Sequence, residues 1–315
     1  MRVLITGASG FAGGHLTAYL RRVTDWKLIG LRSRPGADLD THETLVCDLR
    51  DADAARSLIR DCAPGIIFHL AAQSSVPESF ANPVETLRTN VLGQVNLFEA
   101  VRAAGIDPVI VVASSSEVYG AVEPYDLPID ERQLMRPASP YAVSKATQDL
   151  LASQYHTSYG MRIVTARPFN HLGPGQSDRF VVSSFARQIA EAEARTREPV
   201  LEVGNLDARR DFLDVRDVAR AYYSLAAPEL AGGVFNVCSG APRKIRDVLD
   251  RLLAESRVAM TVRKDPARQR PSDAPIIYGD STRLRQRTGW EPIIPFEQSL
   301  RDTLDYWREA AQPKV

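Results

Sequence analysis

Val3-Leu4-Ile5-Thr6-Gly7-Ala8-Ser9-Gly10-Phe11-Ala12-Gly13 is a short apolar run followed by three glycines at three-residue spacing. Residues 3–6 predict a buried strand, the glycines a tight turn, and residues 12–21 a first helix. A strand, a glycine turn and a helix in that order bring backbone N–H groups and the positive end of the helix to one point. A pyrophosphate can sit there. Gly7, Gly10 and Gly13 are therefore expected to hold a dinucleotide, with Phe11 beside them. A purely structural tight turn would use the same glycines without a ligand.

Outward from this stretch, strands and helices alternate. Extended runs are predicted at 27–32, 65–69, 109–112 and 162–166. Helices are predicted near 52–61, over a long stretch at 83–104, and through Tyr141 and Lys145 to about 159. Val109-Ile110-Val111-Val112 is β-branched throughout, the kind of run that a parallel sheet buries on both faces. The pattern predicts an α/β fold, a Rossmann-like doubly wound parallel sheet. After Pro168 the alternation is interrupted by loops carrying Asn170, Gly173, Pro174 and Gly175. Helices near 180–194, 215–226, 244–255 and 296–309 follow, with extended runs at 200–203 and 234–237. We read 1–167 as mainly the dinucleotide-binding domain and 168–315 as mainly a smaller C-terminal substrate-binding lobe, with crossings back to the sheet allowed. The ligand cleft is expected between them, beyond the C-terminal ends of the strands.

The 315 residues are 44% hydrophobic, enough for a substantial core, and the 39 basic and 39 acidic residues cancel. A nucleic-acid binder held by bulk charge is thereby disfavoured. Cys47, Cys62 and Cys238 make neither a zinc spacing nor a disulfide framework. No metal is expected, and a reducing, cytoplasmic location is. No charged leader precedes residue 3 and no long apolar run follows, so neither a secretory leader nor a membrane span is expected.

Tyr141-Ala142-Val143-Ser144-Lys145 carries the chemistry. On a helix, residues four apart share a face. Reduction of a ketone needs a proton for the developing alkoxide. A tyrosine can supply it, and a nearby Lys⁺ favours the phenolate and can also hold a nicotinamide ribose. Alone, such a pair is an ordinary surface contact; beside the glycine turn it predicts a redox enzyme acting on an alcohol or ketone. Ser114-Ser115-Ser116-Glu117 begin where the 109–112 strand ends. A hydroxyl there can polarise a carbonyl, or the serines can be only a turn, and composition does not choose among them.

The second strand ends Leu31-Arg32-Ser33-Arg34, without the acid that an NAD ribose usually meets. Arg32 and Arg34 suit the extra phosphate of NADP, or are solvated surface arginines. NADPH is the expected cofactor ahead of NADH. Asp48 and Leu49 are expected near the adenine. In His69-Leu70-Ala71-Ala72, the compact residues Leu70, Ala71 and Ala72 let the cofactor approach, while His69 bonds locally.

These motifs, in this order, resemble the extended short-chain dehydrogenase/reductases of the nucleotide-sugar type. The resemblance covers nearly the whole chain: the glycine turn, His69-Leu70-Ala71-Ala72, Ser114 to Gly120 and Tyr141-x-x-x-Lys145. It implies Ser115 as the catalytic hydroxyl, Asn90 near the cofactor, and Asn170, after Arg167-Pro168-Phe169, near the sugar diphosphate. Within the family, Ala166 to Gln176, Arg210 to Val218, Phe235 to Gly240 and Asp265 to Arg268 resemble the GDP-6-deoxy-D-mannose reductases. That likeness implies reduction of the C4 ketone of GDP-4-keto-6-deoxy-D-mannose to GDP-D-rhamnose. It also implies Arg210 and Arg270 as diphosphate ligands, since a guanidinium fork fits phosphate oxygens. Ser116 and Glu117 complete the expected substrate contacts. Glu117 also resembles the acid/base of a GDP-mannose 4,6-dehydratase, which stands as the alternative beside an epimerase or reductase of another nucleotide sugar. A homodimer through the helices near 83–104 and 141–159 is the family-like assembly.

Overall fold

The structure, a computed structural model, describes residues 1–36, 39–268 and 274–312. The apolar opening forms β1 (Arg2–Thr6) and the glycine turn leads into α1 (Phe11–Val23). The first half continues as β2 (Lys27–Arg32), β3 (Glu43–Val46), α2 (Ala52–Cys62), β4 (Ile66–His69), α3 (Val76–Ala81), α4 (Pro83–Leu87) and α5 (Gly93–Ala103). Then come β5 (Val109–Ala113), α6 (Pro140–Tyr159) and β6 (Ile163–Pro168). The second half holds β7 (Asn170–Leu172), α7 (Val181–Glu193), β8 (Val200–Val203), β9 (Arg209–Asp214), α8 (Val215–Leu225) and β10 (Val234–Val237). It ends with β11 (Pro242–Lys244), α9 (Ile245–Ala254), β12 (Thr261–Lys264), β13 (Ile276–Ile277), α10 (Thr282–Thr288) and α11 (Phe296–Ala311).

Seven strands make one parallel sheet in the order β10-β6-β5-β4-β1-β2-β3. Its register runs Leu4 to Ile67, Ile67 to Ile110 and Ile110 to Ile163, one apolar rung across four strands. Side chains alternate along each strand, so Val3 and Ile5 pack toward α1 and α8 with Leu16, Leu20 and Val218. Leu4 packs to the other face, with Leu58, Ile59, Leu97 and Phe98 of α2 and α5. Both faces are thus covered by helices, which is what the uninterrupted apolar strands require. Order reverses at β1: β2 and β3 run to one side, β4, β5 and β6 to the other. Such a switch point opens a crevice at the C-terminal strand ends.

The smaller unit surrounds β9, which is flanked by antiparallel β11 and by parallel β13 and β7. Helices α7, α9 and α11 enclose its core around Phe185, Leu201, Leu249 and Leu304. One crossing and one departure from the sequence expectation concern the site. The chain does cross back, since β10 adds to the edge of the large sheet on β6. The long helix at 83–104 is instead α4 and α5 joined by a π-turn over Arg88–Leu92. Asn90 lies within that turn and is fully buried. Its amide donates to Gln73 O at 3.0 Å and to Ser144 Oγ at 2.8 Å, and its Oδ1 accepts from Gln73 N at 2.8 Å. A widened turn of this kind re-aims one side chain within a helix, here onto the loop after β4 and onto α6.

Candidate active site

A cleft of about 1420 Å³ lies over the switch point, lined by the glycine turn, the ends of β2, β4 and β5, the start of α6, and the loops after β6. Gly7 has φ of +70°, and a Cβ there would stand 2.8 Å from Ala71 N. At Gly13 a Cβ would collide with the Gly7 carbonyl. Two strand-end loops therefore pass each other with no room for side chains. Thr6 Oγ1 bonds His69 Nδ1 at 2.9 Å and accepts from Ala71 N at 3.1 Å, locking β1 to the loop after β4. Gly10 caps α1 without a side chain, leaving the first-turn N–H groups available to a ligand. Gly7, Gly10, Phe11, Gly13, Leu70, Ala71 and Ala72 all line the cleft. This bare cradle fits a dinucleotide pyrophosphate.

At the far end, Arg32, Asp48 and Leu49 also line the cleft. Arg34 is exposed and outside the lining, though near enough to Asp48 to help hold its carboxyl below the usual range. The leading cause of that lowering is Arg50, whose guanidinium bonds both Asp48 oxygens, with Nε at 2.9 and 3.0 Å. Arg50 lines the cleft too and reaches Glu85. Asn90 is not among the lining residues; its neighbour Thr89 is.

The reactive groups come from α6 and the end of β5. Ser139 caps α6 by accepting from Ala142 N at 3.1 Å, with Pro140 next. Ser-Pro starts a helix efficiently, and it sets Tyr141 and Lys145 in the first two turns. Both are buried, at 9% and 4% exposed, and both line the cleft with Ser115. Lys145 Nζ donates to Ala113 O at 2.8 Å, which leaves two ammonium protons for a ligand. Burial brings its pKa down to about 7, with Asp149 opposing the drop. Tyr141 differs from the sequence expectation of a favoured phenolate: burial pushes its phenol up to about 12, against a hydrogen bond with Ser115, and with the Glu117 carboxylate adding to the rise. A protonated tyrosine is the form that donates a proton. His69 is held neutral, its pKa brought to about 3 by burial and then by Lys145.

Ser116, Glu117 and Asn170 line the substrate side. Ser115 Oγ accepts from Glu117 N at 3.2 Å, closing the 3-10 turn Ser116–Tyr119. Arg210 is not among the lining residues. Its Nη1 donates to Arg209 O and Ala274 O, each at 2.8 Å, so the guanidinium braces β9 against the chain entering β13. Arg270 lies outside the described residues. Sequence reasoning missed Arg179 and Phe180, both exposed before α7, and Phe212 and Tyr222. His171 was missed as well; its ring stacks on Phe11 at 5.8 Å with planes 4° apart. Among the described residues, no group of three or more His, Cys, Asp or Glu is placed to hold a metal ion. Nor is any helix among them long and apolar enough to cross a membrane.

The family model described as GDP-mannose 4,6 dehydratase matches residues 4–303. GDP-6-deoxy-D-mannose reductase of Pseudomonas aeruginosa is 42% identical over 97% of each chain. UDP-glucose 4-epimerase of Mycolicibacterium smegmatis is 30% identical over 99% of this chain and 100% of its own. Among solved structures, RMD from Pseudomonas aeruginosa complexed with NADPH superposes with a TM-score of 0.88 at 40% identity, covering 98% of this chain and 99% of that one.

Proposed function

The chain belongs to the extended short-chain dehydrogenase/reductase family of nucleotide-sugar enzymes, and we propose that it is a 4-keto reductase converting GDP-4-keto-6-deoxy-D-mannose to GDP-D-rhamnose with NADPH. The observation that carries this reading is one cleft in which Ser115, Tyr141 and Lys145 face a glycine cradle. Likeness to the Pseudomonas reductase supports the sugar and the direction.

When bound, NADPH supplies the hydride. The Tyr141 hydroxyl, kept protonated by burial, gives its proton to the C4 oxygen as charge develops there. Ser115, hydrogen-bonded to Tyr141, orients the same oxygen. Lys145, anchored on Ala113 O, has donors left for the ribose hydroxyls. On the substrate side we read the lobe after residue 168 as the nucleotide-sugar holder, with Asn170 and Arg179 among the polar residues that line the cleft. A guanidinium fork there suits the diphosphate.

Arg32 is the group best placed for a 2′-phosphate, with Arg34 beyond it. Arg32→Ala is expected to raise the NADPH Kd about tenfold, the scale of one charge-assisted contact. NADH binding should change little. Equal weakening of both in a fluorescence titration would remove this assignment.

Glu117 gives the second reading, because it lines the cleft near enough to Tyr141 for its negative charge to raise the phenol pKa. Under the reductase reading Glu117→Gln keeps activity within about tenfold of the parent, since no proton passes through it. The check is NADPH oxidation with the 4-keto sugar, run beside GDP-mannose with catalytic cofactor. Turnover of GDP-mannose that vanishes in Glu117→Gln would favour the dehydratase instead.

Two further features fit this reading. Phe80, Val84, Leu87 and Leu92 on α3, α4 and the π-turn are exposed, as are Val143, Leu150 and Tyr159 on α6. Such apolar surface supports a homodimer through these helices, checked by sedimentation at the mass of two chains. Cys47, Cys62 and Cys238 are free thiols, which suits a reducing, cytoplasmic setting.

A further inference from the structure

Lys145 and Asp149 stand one turn apart on α6, both buried, and hold the same dipeptide at the end of β5. Lys145 Nζ donates to Ala113 O at 2.8 Å, and Ser114 Oγ donates to Asp149 Oδ2 at 2.9 Å. From β6, Arg167 clamps the same carboxylate, with Nε to Oδ2 at 2.7 Å and Nη2 to Oδ1 at 3.2 Å. Its Nη1 donates to Tyr119 OH at 2.9 Å and Glu131 O at 3.3 Å, and Tyr119 OH donates to Asn236 Oδ1 at 2.7 Å. Asp149 is 3% exposed and Arg167 is 4% exposed. A buried ion pair of this kind is weak as a stability device, because desolvation offsets much of the attraction. Its position beside Lys145 suggests another use.

We propose that Asp149, oriented by Arg167, is a positioning residue that keeps Lys145 charged and fixes the Ala113–Ser114 backbone leading into Ser115. The proposal rests on the reading of Tyr141 and Lys145 as the reacting pair. Neither Asp149 nor Arg167 lines the cleft, so both act through Lys145 and the Ala113–Ser114 backbone.

Among the described residues around α6, Glu85 of α4 pairs with Arg50, and Tyr222 of α8 lies near Tyr141. His69 from β4 is neutral, and Tyr119 and Glu117 come from the turn after β5, Glu117 acting on Tyr141. Glu99 of α5 bonds Tyr155 farther along α6, while Glu78 of α3 and Arg88 of the π-turn are exposed. Asp149 is thus the negative charge opposing the discharge of Lys145 by burial. Arg167 partly neutralises it. The two partners must then move Lys145 in opposite directions. Losing the carboxylate makes Lys145 easier to deprotonate. Losing the guanidinium leaves the carboxylate unopposed and makes Lys145 harder to deprotonate.

The test reads the lysine itself. The chain has five lysines, so 13Cε-labelled lysine followed by NMR across pH resolves Lys145, assigned by its loss in Lys145→Met. In Asp149→Asn its titration is expected to move down by about one pH unit or more, and in Arg167→Gln to move up. Asp149→Glu should restore the parent value. The alkaline limb of kcat/KM for ketone reduction should move with each titration, and Asp149→Asn should regain activity at acid pH. If Asp149→Asn does not fold, Arg167→Gln is compared with the double variant Asp149→Asn/Arg167→Gln, which buries neither charge; a higher titration in the single variant is expected. Equal titrations there, shifts of one sign in both single variants, or a pH-independent loss of activity would overturn the proposal. A parent protein that titrates as described but reduces no ketone would instead count against the proposed function alone.

Discussion

Tyr141→Phe is expected to lower kcat for ketone reduction by about 1000-fold, within the range of one positioned proton donor, while the NADPH Kd changes little. The ring of Tyr141 is buried in the cleft wall and its hydroxyl bonds Ser115. Phenylalanine fills the same volume, so the fold and the cradle around Gly7 and Gly13 remain. What disappears is the proton needed at the developing alkoxide. A loss in kcat and kcat/KM together marks an interaction made in the transition state. Stopped-flow turnover beside a binding titration separates the two quantities. Near-parental kcat would remove Tyr141 as the donor, and an equally large loss of NADPH affinity would recast it as a binding residue.

The second large effect belongs to the glycine cradle. Gly7→Val is expected to raise the NADPH Kd at least about 100-fold, or 2.7 kcal/mol, and to lower the melting temperature. Two independent costs act at this position. A φ of +70° strains any β-branched residue by about 1–3 kcal/mol. The new Cβ would also stand 2.8 Å from Ala71 N and 2.9 Å from Ala71 Cα, forcing the loop after β4 away from β1. That loop supplies Leu70, Ala71 and Ala72 to the cleft. Gly14→Ala is the control: a Cβ there meets nothing within 4 Å, and alanine favours a helix. Calorimetric binding to both variants checks the contrast; unchanged affinity in Gly7→Val would mean that the cradle does not carry the dinucleotide.

The legible parts of the sequence were those with strong local signals. The run from Val3 to Gly13 announced β1, the turn and α1, because parallel strands buried on both faces are apolar throughout and only glycine tolerates the approach of Gly7 to Ala71. Tyr141 and Lys145 were legible because helical spacing puts them on one face and the glycine turn predicts a dinucleotide beside them. The far wall of the cleft was not. Arg179 and Phe180 come from a loop without periodicity, and Tyr222 sits on α8 among residues that read as ordinary core. Arg210 carried the right chemistry for a diphosphate; its Nη1 donates to the Arg209 and Ala274 carbonyls, and it is not among the residues that line the cleft. The strands β7, β11 and β13 have three, three and two residues, too short for a period of two to register. Asn90 was expected near the cofactor; a π-turn that no local propensity predicts holds it on Ser144 and on Gln73, which lines the cleft.

The central claim is the direction and site of hydride transfer, and product stereochemistry with cofactor stoichiometry tests it most directly. GDP-4-keto-6-deoxy-D-mannose is incubated with a measured amount of NADPH, the absorbance loss is counted against sugar consumed, and the product is assigned by NMR coupling constants at C4. The account predicts one NADPH oxidised per sugar and a single product, GDP-D-rhamnose. Recovery of unreduced ketone with NADPH intact, or a product of the opposite C4 configuration, would contradict it.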